Sequence, residues 1–253
     1  MYYQPKRNLL DQKHILVTGA GDGIGREAAL TYARHGASLL LLGRTEQKLN
    51  AVKQAIAEAG GREARVLVLD LACPDPQPYQ LLAQRLMNEL PHLDGLLNNA
   101  GLLGEVAPMT EQTPARWSEV MAVNINGTFM LTQALLPLLL NAGGSSLIFS
   151  TSSVGRQGRA NWGAYSVSKF ATEGMMQILA DEYPASTLRV NCINPGGTRT
   201  GMRASAYPAE DADRLKTPAD IMPIYLYLMG DDSRRKTGIS FDAQPDRKPG
   251  PAT

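Results

Sequence analysis

Cysteine is scarce in this chain, with only Cys73 and Cys192, and neither belongs to a CxxC pair or a Cys/His cluster. That excludes the common zinc patterns and leaves two free thiols, as expected in a reducing compartment. Histidine is equally sparse: His14, His35 and His92 are scattered, match no motif, and read as structural or surface residues. No metal site is expected. Net charge is nearly absent, at +1 over 253 residues. A nucleic-acid binder would carry a basic face, and the densest cluster here, Arg234-Arg235-Lys236, lacks interleaved aromatics. No run of about 18 apolar residues occurs, so no helix is expected to span a membrane. The opening residues MYYQPKRNLLDQK have no apolar stretch and no cleavage pattern, which predicts no leader and a cytoplasmic protein. Repeats and low-complexity segments are missing too.

What is there is an ordinary globular balance, 43% hydrophobic and 19% charged, with enough chain to bury a sizeable core. Short apolar runs alternate with amphipathic segments. Strands are expected at 14–18, 38–42, 65–69, 93–97, 147–150, 189–193 and 238–241. Helices are expected at 23–35, 45–59, 79–90, 115–140, 162–182 and 218–229, with Thr45 as an N-cap and Pro137 disturbing the end of the long fourth helix. Near-continuous apolar strands between helices predict one α/β domain, a Rossmann-like doubly wound parallel sheet covered on both faces. Ligands of such sheets lie beyond the carboxyl ends of the strands.

The first strand runs into Thr18-Gly19-Ala20-Gly21-Asp22-Gly23-Ile24-Gly25. Glycines at a strand-to-helix turn let backbone approach a pyrophosphate, and the helix N-terminus offers N–H groups to it. The spacing is GxxxGxG rather than GxGxxG. The second strand ends at Gly43-Arg44-Thr45 with no acid to hold a ribose 2′-hydroxyl. Arg44 and Thr45 can grip a 2′-phosphate instead, which favours NADP over NAD. Asp22 opposes that choice, because it puts an acid in the glycine loop.

Tyr165 and Lys169 are one helical turn apart and share a face. A phenol titrates near 10, too high for proton exchange at neutrality, and a neighbouring ammonium is expected to lower it. Ser152, thirteen residues before Tyr165, can hold an oxygen on which charge grows; Ser153 and Thr151 compete for that role. Asn126 likewise competes with Asn124.

These motifs in this order resemble the short-chain dehydrogenase/reductase family. TGxxxGIG, Asp70-Leu71, Asn98-Asn99-Ala100-Gly101, Asn124 in VNINGTF, Ser152, the YxxxK of Tyr165 and Lys169, and Asn194-Pro195-Gly196 with Thr200 all stand where that family has them, from about Lys13 to Asp242. The resemblance implies a hydride exchange between NADP(H) and a carbonyl or secondary alcohol of a small molecule. The catalytic set is then Asn124, Ser152, Tyr165 and Lys169, with Asn124 holding a relay water. Cofactor contacts would come from Gly19, Gly21, Asp22, Gly23, Ile24, Gly25, Arg44, Thr45, Asp70, Leu71, Asn98, Ala100, Gly101, Tyr165, Lys169, Pro195, Gly196, Thr198 and Thr200. Residues 197–216 would order over substrate as a lid, with Met202, Tyr207 and Leu215 as contacts, Trp162 as a possible wall, and Arg199 and Arg203 read as surface charge. The variable tail, 243–253, departs from a VDGG-like turn that helps tetramer packing in many relatives. A homodimer through 115–140 and 162–182, or a homotetramer, is expected. Two other readings compete: a cofactor-binding regulator or scaffold without turnover, and an epimerase or dehydratase, whose relatives generally carry longer C-terminal regions.

Overall fold

A computed structural model describes residues 3–247, so the first two residues and the tail beyond Arg247 lie outside the described part. Seven strands, β1 (His14–Thr18), β2 (Ser38–Gly43), β3 (Arg65–Val68), β4 (Gly95–Asn98), β5 (Ser145–Ser150), β6 (Leu188–Asn194) and β7 (Ile239–Asp242), form one sheet in the order β3-β2-β1-β4-β5-β6-β7. Every neighbouring pair is parallel. Side chains alternate faces along a strand, and both faces are buried. Ile15 and Val17 therefore pack with Leu39 and Leu41 in one core, while Leu16, Leu40 and Leu42 enter the other.

The first core lies under α1 (Gly23–Arg34), α2 (Glu46–Glu58) and α8 (Met222–Met229). The second lies under α3 (Gln77–Glu89), α5 (Thr128–Asn141) and α6 (Gly163–Glu182). Two shorter helices, α4 (Pro114–Met121) and α7 (Gly201–Ala206), complete the set.

Two expectations for the long helix need correction. Pro137 does not end it: α5 runs through Pro137 to Asn141. The helical path is instead altered at Ala122–Gly127, a π-helical turn between α4 and α5. The combined run Pro114–Asn141 is long and apolar enough to cross a bilayer by length and composition, contrary to the expectation from uninterrupted runs. Half of its apolar window is buried inside the fold, and Leu131, Leu135, Leu138 and Leu139 are core residues.

The strand order reverses between β1 and β4. That switch point is where a parallel α/β sheet leaves a crevice, and it positions the site.

Candidate active site

Beyond β1 the chain turns sharply at Gly19, whose φ of +65° is left-handed. A side chain here would also come within 3.0 Å of the Ala100 backbone. Thr18 ties the loops after β1 and β4 together, its Oγ1 accepting from the N–H of Asn99 at 2.9 Å and of Ala100 at 3.0 Å. Asp22 is the N-cap of α1 and accepts from the Gly23 N–H at 2.8 Å. Above these loops lies a cleft of about 420 Å³.

Fifteen of the predicted cofactor residues line it: Gly19, Gly21, Asp22, Gly23, Ile24, Arg44, Thr45, Asp70, Leu71, Ala100, Gly101, Tyr165, Lys169, Pro195 and Thr200. Two others do not. Gly25 faces inward, where a Cβ would lie 2.3 Å from the Gly19 carbonyl oxygen, so it serves close packing of the loop. Asn98 is buried and donates to Thr132 Oγ1 at 2.9 Å, tying β4 to α5. Gly196 and Thr198 line an adjoining pocket rather than the cleft. Sequence reasoning missed Lys48 and Asn99 as cleft residues, and Met202, expected as a substrate contact, lines the cleft as well as the adjoining pocket. Lys48 stands in the first turn of α2, just after the bend that carries Arg44.

The adjoining pocket, about 150 Å³, is lined by Ser152, Ser153, Tyr165, Trp162, Met202 and Tyr207 among others. Tyr165 borders both spaces. Ser152 shares this pocket with its hydroxyl, and the Tyr165 ring lies 5.7 Å from the Trp162 ring, which in turn lies 5.9 Å from Tyr207. Trp162 thus walls the pocket. Ser153 lines the same pocket, but only Ser152 acts on the titration of the Tyr165 phenol. Leu215, expected as a contact, is buried and lines neither space.

Lys169 is buried, donates to the Ser150 carbonyl at 2.7 Å, and sits 5.5 Å from the centroid of the Tyr165 ring. The expected acidification of the phenol is absent in the chain alone. Burial pushes Tyr165 up to about 12, offset only partly by the nearby Ser152 hydroxyl. The same burial pulls Lys169 down to about 8. A desolvated site disfavours both charged forms.

Asn124 lies in the π-helical turn. Its side chain bridges the backbone of Leu102, accepting from N–H at 2.7 Å and donating to C=O at 2.9 Å, and donates to Ser168 Oγ at 3.0 Å. The amide clamps the loop after β4 onto the helix that carries Lys169, and Asn124 lines neither space. Asn126, its rival, makes no such side-chain clamp among the described residues.

The segment expected as a lid is ordered. Arg203 is bound through two nitrogens to Glu210, at 2.6 and 2.7 Å, and stacks 3.8 Å over the Tyr207 ring. It is a structural brace rather than loose surface charge. Arg199 pairs with Asp213 at 3.3 Å. The start of the variable tail folds onto this segment: Gln244 donates to the carbonyls of Pro195 and Gly197 at 2.9 and 3.1 Å, and Arg247 reaches Glu210 at 3.1 Å. At the amino ends of β1 and β4, far from the cleft, His14 and His92 meet across Asp94, which sequence spacing could not show.

The family model described as short chain dehydrogenase matches residues 13–211. The Escherichia coli K12 protein named uncharacterized oxidoreductase YciK is 67% identical over 250 residues, covering 99% of each chain. A short chain dehydrogenase from Shigella flexneri 2a strain 301 complexed with NADP, and one from Escherichia coli CFT073 complexed with NADPH, each superpose with a TM-score of 0.93 at 66% identity. Both comparisons cover 95% of this chain and all of the other. The chain belongs to the short chain dehydrogenase family of oxidoreductases.

Proposed function

We propose that this protein transfers a hydride between NADP(H) and a carbonyl or secondary alcohol of a small molecule, with Tyr165 as general acid and base. The observation that carries the reading is the position of Tyr165, at the boundary of the large cleft and the small pocket that Ser152 also lines. The cleft suits a dinucleotide: it opens on a glycine loop and the start of α1, and Gly19 and Gly23 have positive φ. When bound, the nicotinamide supplies or accepts the hydride.

The protein's own groups handle the oxygen and its proton. Ser152 and Tyr165 hold the substrate oxygen in the small pocket. Tyr165 is protonated at neutral pH, so it is ready to donate as charge develops on a carbonyl being reduced. Lys169, poised near 8, exchanges protons within the physiological range and feeds the phenol. Asn124 keeps the loop after β4 and the Tyr165 helix in register. Residues 197–216 close the small pocket, and Met202 and Tyr207 contact the substrate.

The complexes of the two relatives support NADP(H) as cofactor. Arg44, exposed at the cleft mouth with no acid at the end of β2, supports its preference over NAD(H). Phe129, Val167, Phe170 and Ile178, all exposed on α5 and α6, support pairing of two copies through those helices. The unpaired Cys73 and Cys192 fit the cytoplasm.

Tyr165→Phe tests the assignment. It should lower kcat/KM by at least about 100- to 10,000-fold, the usual weight of a general acid–base group, while NADPH binding measured by fluorescence stays near wild type. Normal turnover of a confirmed substrate by this variant would refute the role of Tyr165.

A further inference from the structure

A 2′-phosphate at the mouth of the cleft would meet charges of both signs. Arg44 and Thr45 attract it, and Asp22, on the facing glycine loop, repels it. Lys48 changes that balance. Its Nζ lies 2.6 Å from Asp22 Oδ2, while Asp22 Oδ1 accepts the Gly23 N–H that caps α1. The contact holds the Asp22 carboxyl below its ordinary range.

The approach is built into the backbone. A Cβ on Gly21 would fall 2.9 Å from Lys48 Cβ, so the missing side chain at Gly21 is what admits the lysine stem over the loop. Lys48 then lines the cleft with Gly21, Asp22, Arg44 and Thr45. Arg44, in the bend that follows β2, and Lys48, in the first turn of α2, both line the cleft.

We propose that Lys48 is a specificity-determining cation for the 2′-phosphate, and that Asp22 is the charge it offsets; the inference rests on the NADP(H) reading above. A phosphate ester carries close to two negative charges near neutrality. It therefore competes for the lysine against a single carboxylate, and Arg44 adds to its side of the balance. Asp22 keeps its bond to the Gly23 N–H when the lysine moves. With NAD(H) no phosphate is present, and Lys48 stays on Asp22. Both side chains are more than half exposed, so the pair adds little to folding and can be altered without loss of the fold.

Dissociation constants for NADPH and NADH, read by fluorescence titration of the full chain, test the inference in four proteins: wild type, Lys48→Gln, Asp22→Asn, and the two changes together. Asn retains the cap of α1. Wild type should favour NADPH. Lys48→Gln should weaken NADPH by about 10- to 100-fold, the loss of one charge-assisted contact plus an unmasked carboxylate, and leave NADH within about twofold. Adding Asp22→Asn to Lys48→Gln should recover part of the NADPH loss. A urea midpoint near wild type for each variant establishes that they are folded. If wild type favours NADPH and Lys48→Gln keeps the same ratio, Lys48 has no such role and Arg44 suffices. If the double change recovers nothing, Asp22 is not the charge being offset. If wild type binds both nucleotides equally, the NADP(H) reading itself fails.

Discussion

Lys169 shows how burial sets the chemistry of a single side chain. Its ammonium titrates near 8 in the folded protein against 10.5 in an unfolded chain. The unfolded state therefore holds more protons between those values, and stability rises with pH across that window. Below about pH 8 the buried charge costs on the order of 3 kcal/mol. Lys169→Met should be more stable than wild type at neutral pH without cofactor, and the gap should narrow as pH climbs to about 10. Urea midpoints of both proteins along a pH series would show it; a gap that does not change with pH would sink the idea. The identity of Tyr165, Lys169 and Ser152 was legible in the sequence because one helical turn fixes the first two and a short loop fixes the third. The direction of the Tyr165 shift was not, because desolvation depends on Trp162 and the surrounding walls, which spacing does not encode.

At the scale of an element, the π-helical turn Ala122–Gly127 links the loops after β3 and β4 to the site. It aims Asn124 at Leu102, and it lays Gly127 against the Leu71 carbonyl, where a Cβ would sit 2.0 Å from the oxygen. Gly127→Ala must push the two apart. A destabilisation of about 1–3 kcal/mol is expected from such overpacking, and NADPH affinity should fall with it because Leu71 lines the cleft. Thermal melts and cofactor titration of the variant would check both parts; wild-type stability would contradict the packing. Periodicity located this helix to within a residue or two, yet placed its irregularity at Pro137 rather than at 122–127. Proline gives a visible signal, whereas an inserted residue in a hydrogen-bond ladder leaves none. Gly25 and Asn98 were likewise read as cofactor contacts, because a motif shows which residues recur near a ligand and not which of them face it.

The whole molecule contributes two further features, the surface on α5 and α6 and the return of the tail. Phe129, Val167, Phe170 and Ile178 place apolar area on the outer side of the fold. Phe170→Glu should convert an oligomer to a monomer in sedimentation, with the isolated fold retained by circular dichroism; a wild-type protein that is already monomeric would end this reading. Gln244 and Arg247 reach across 37 to 50 residues to brace the segment over the small pocket. Replacing both with alanine should speed hydrogen exchange in residues 201–216 and raise KM for substrate, while NADPH binding holds. Unchanged exchange would mean the tail is a passenger.

By itself the sequence determined the alternation of strands and helices, the glycine turn after β1, and the residues that meet at the strand ends, because these depend on periodicity and on neighbours a few positions apart. Tertiary structure alone decided the burial of Tyr165 and Lys169, the pairing of Lys48 with Asp22, the clamp made by Asn124 and the brace made by Arg247. Each of those joins groups distant in the chain, and their solvation and separation exist only once the sheet has brought its loops together.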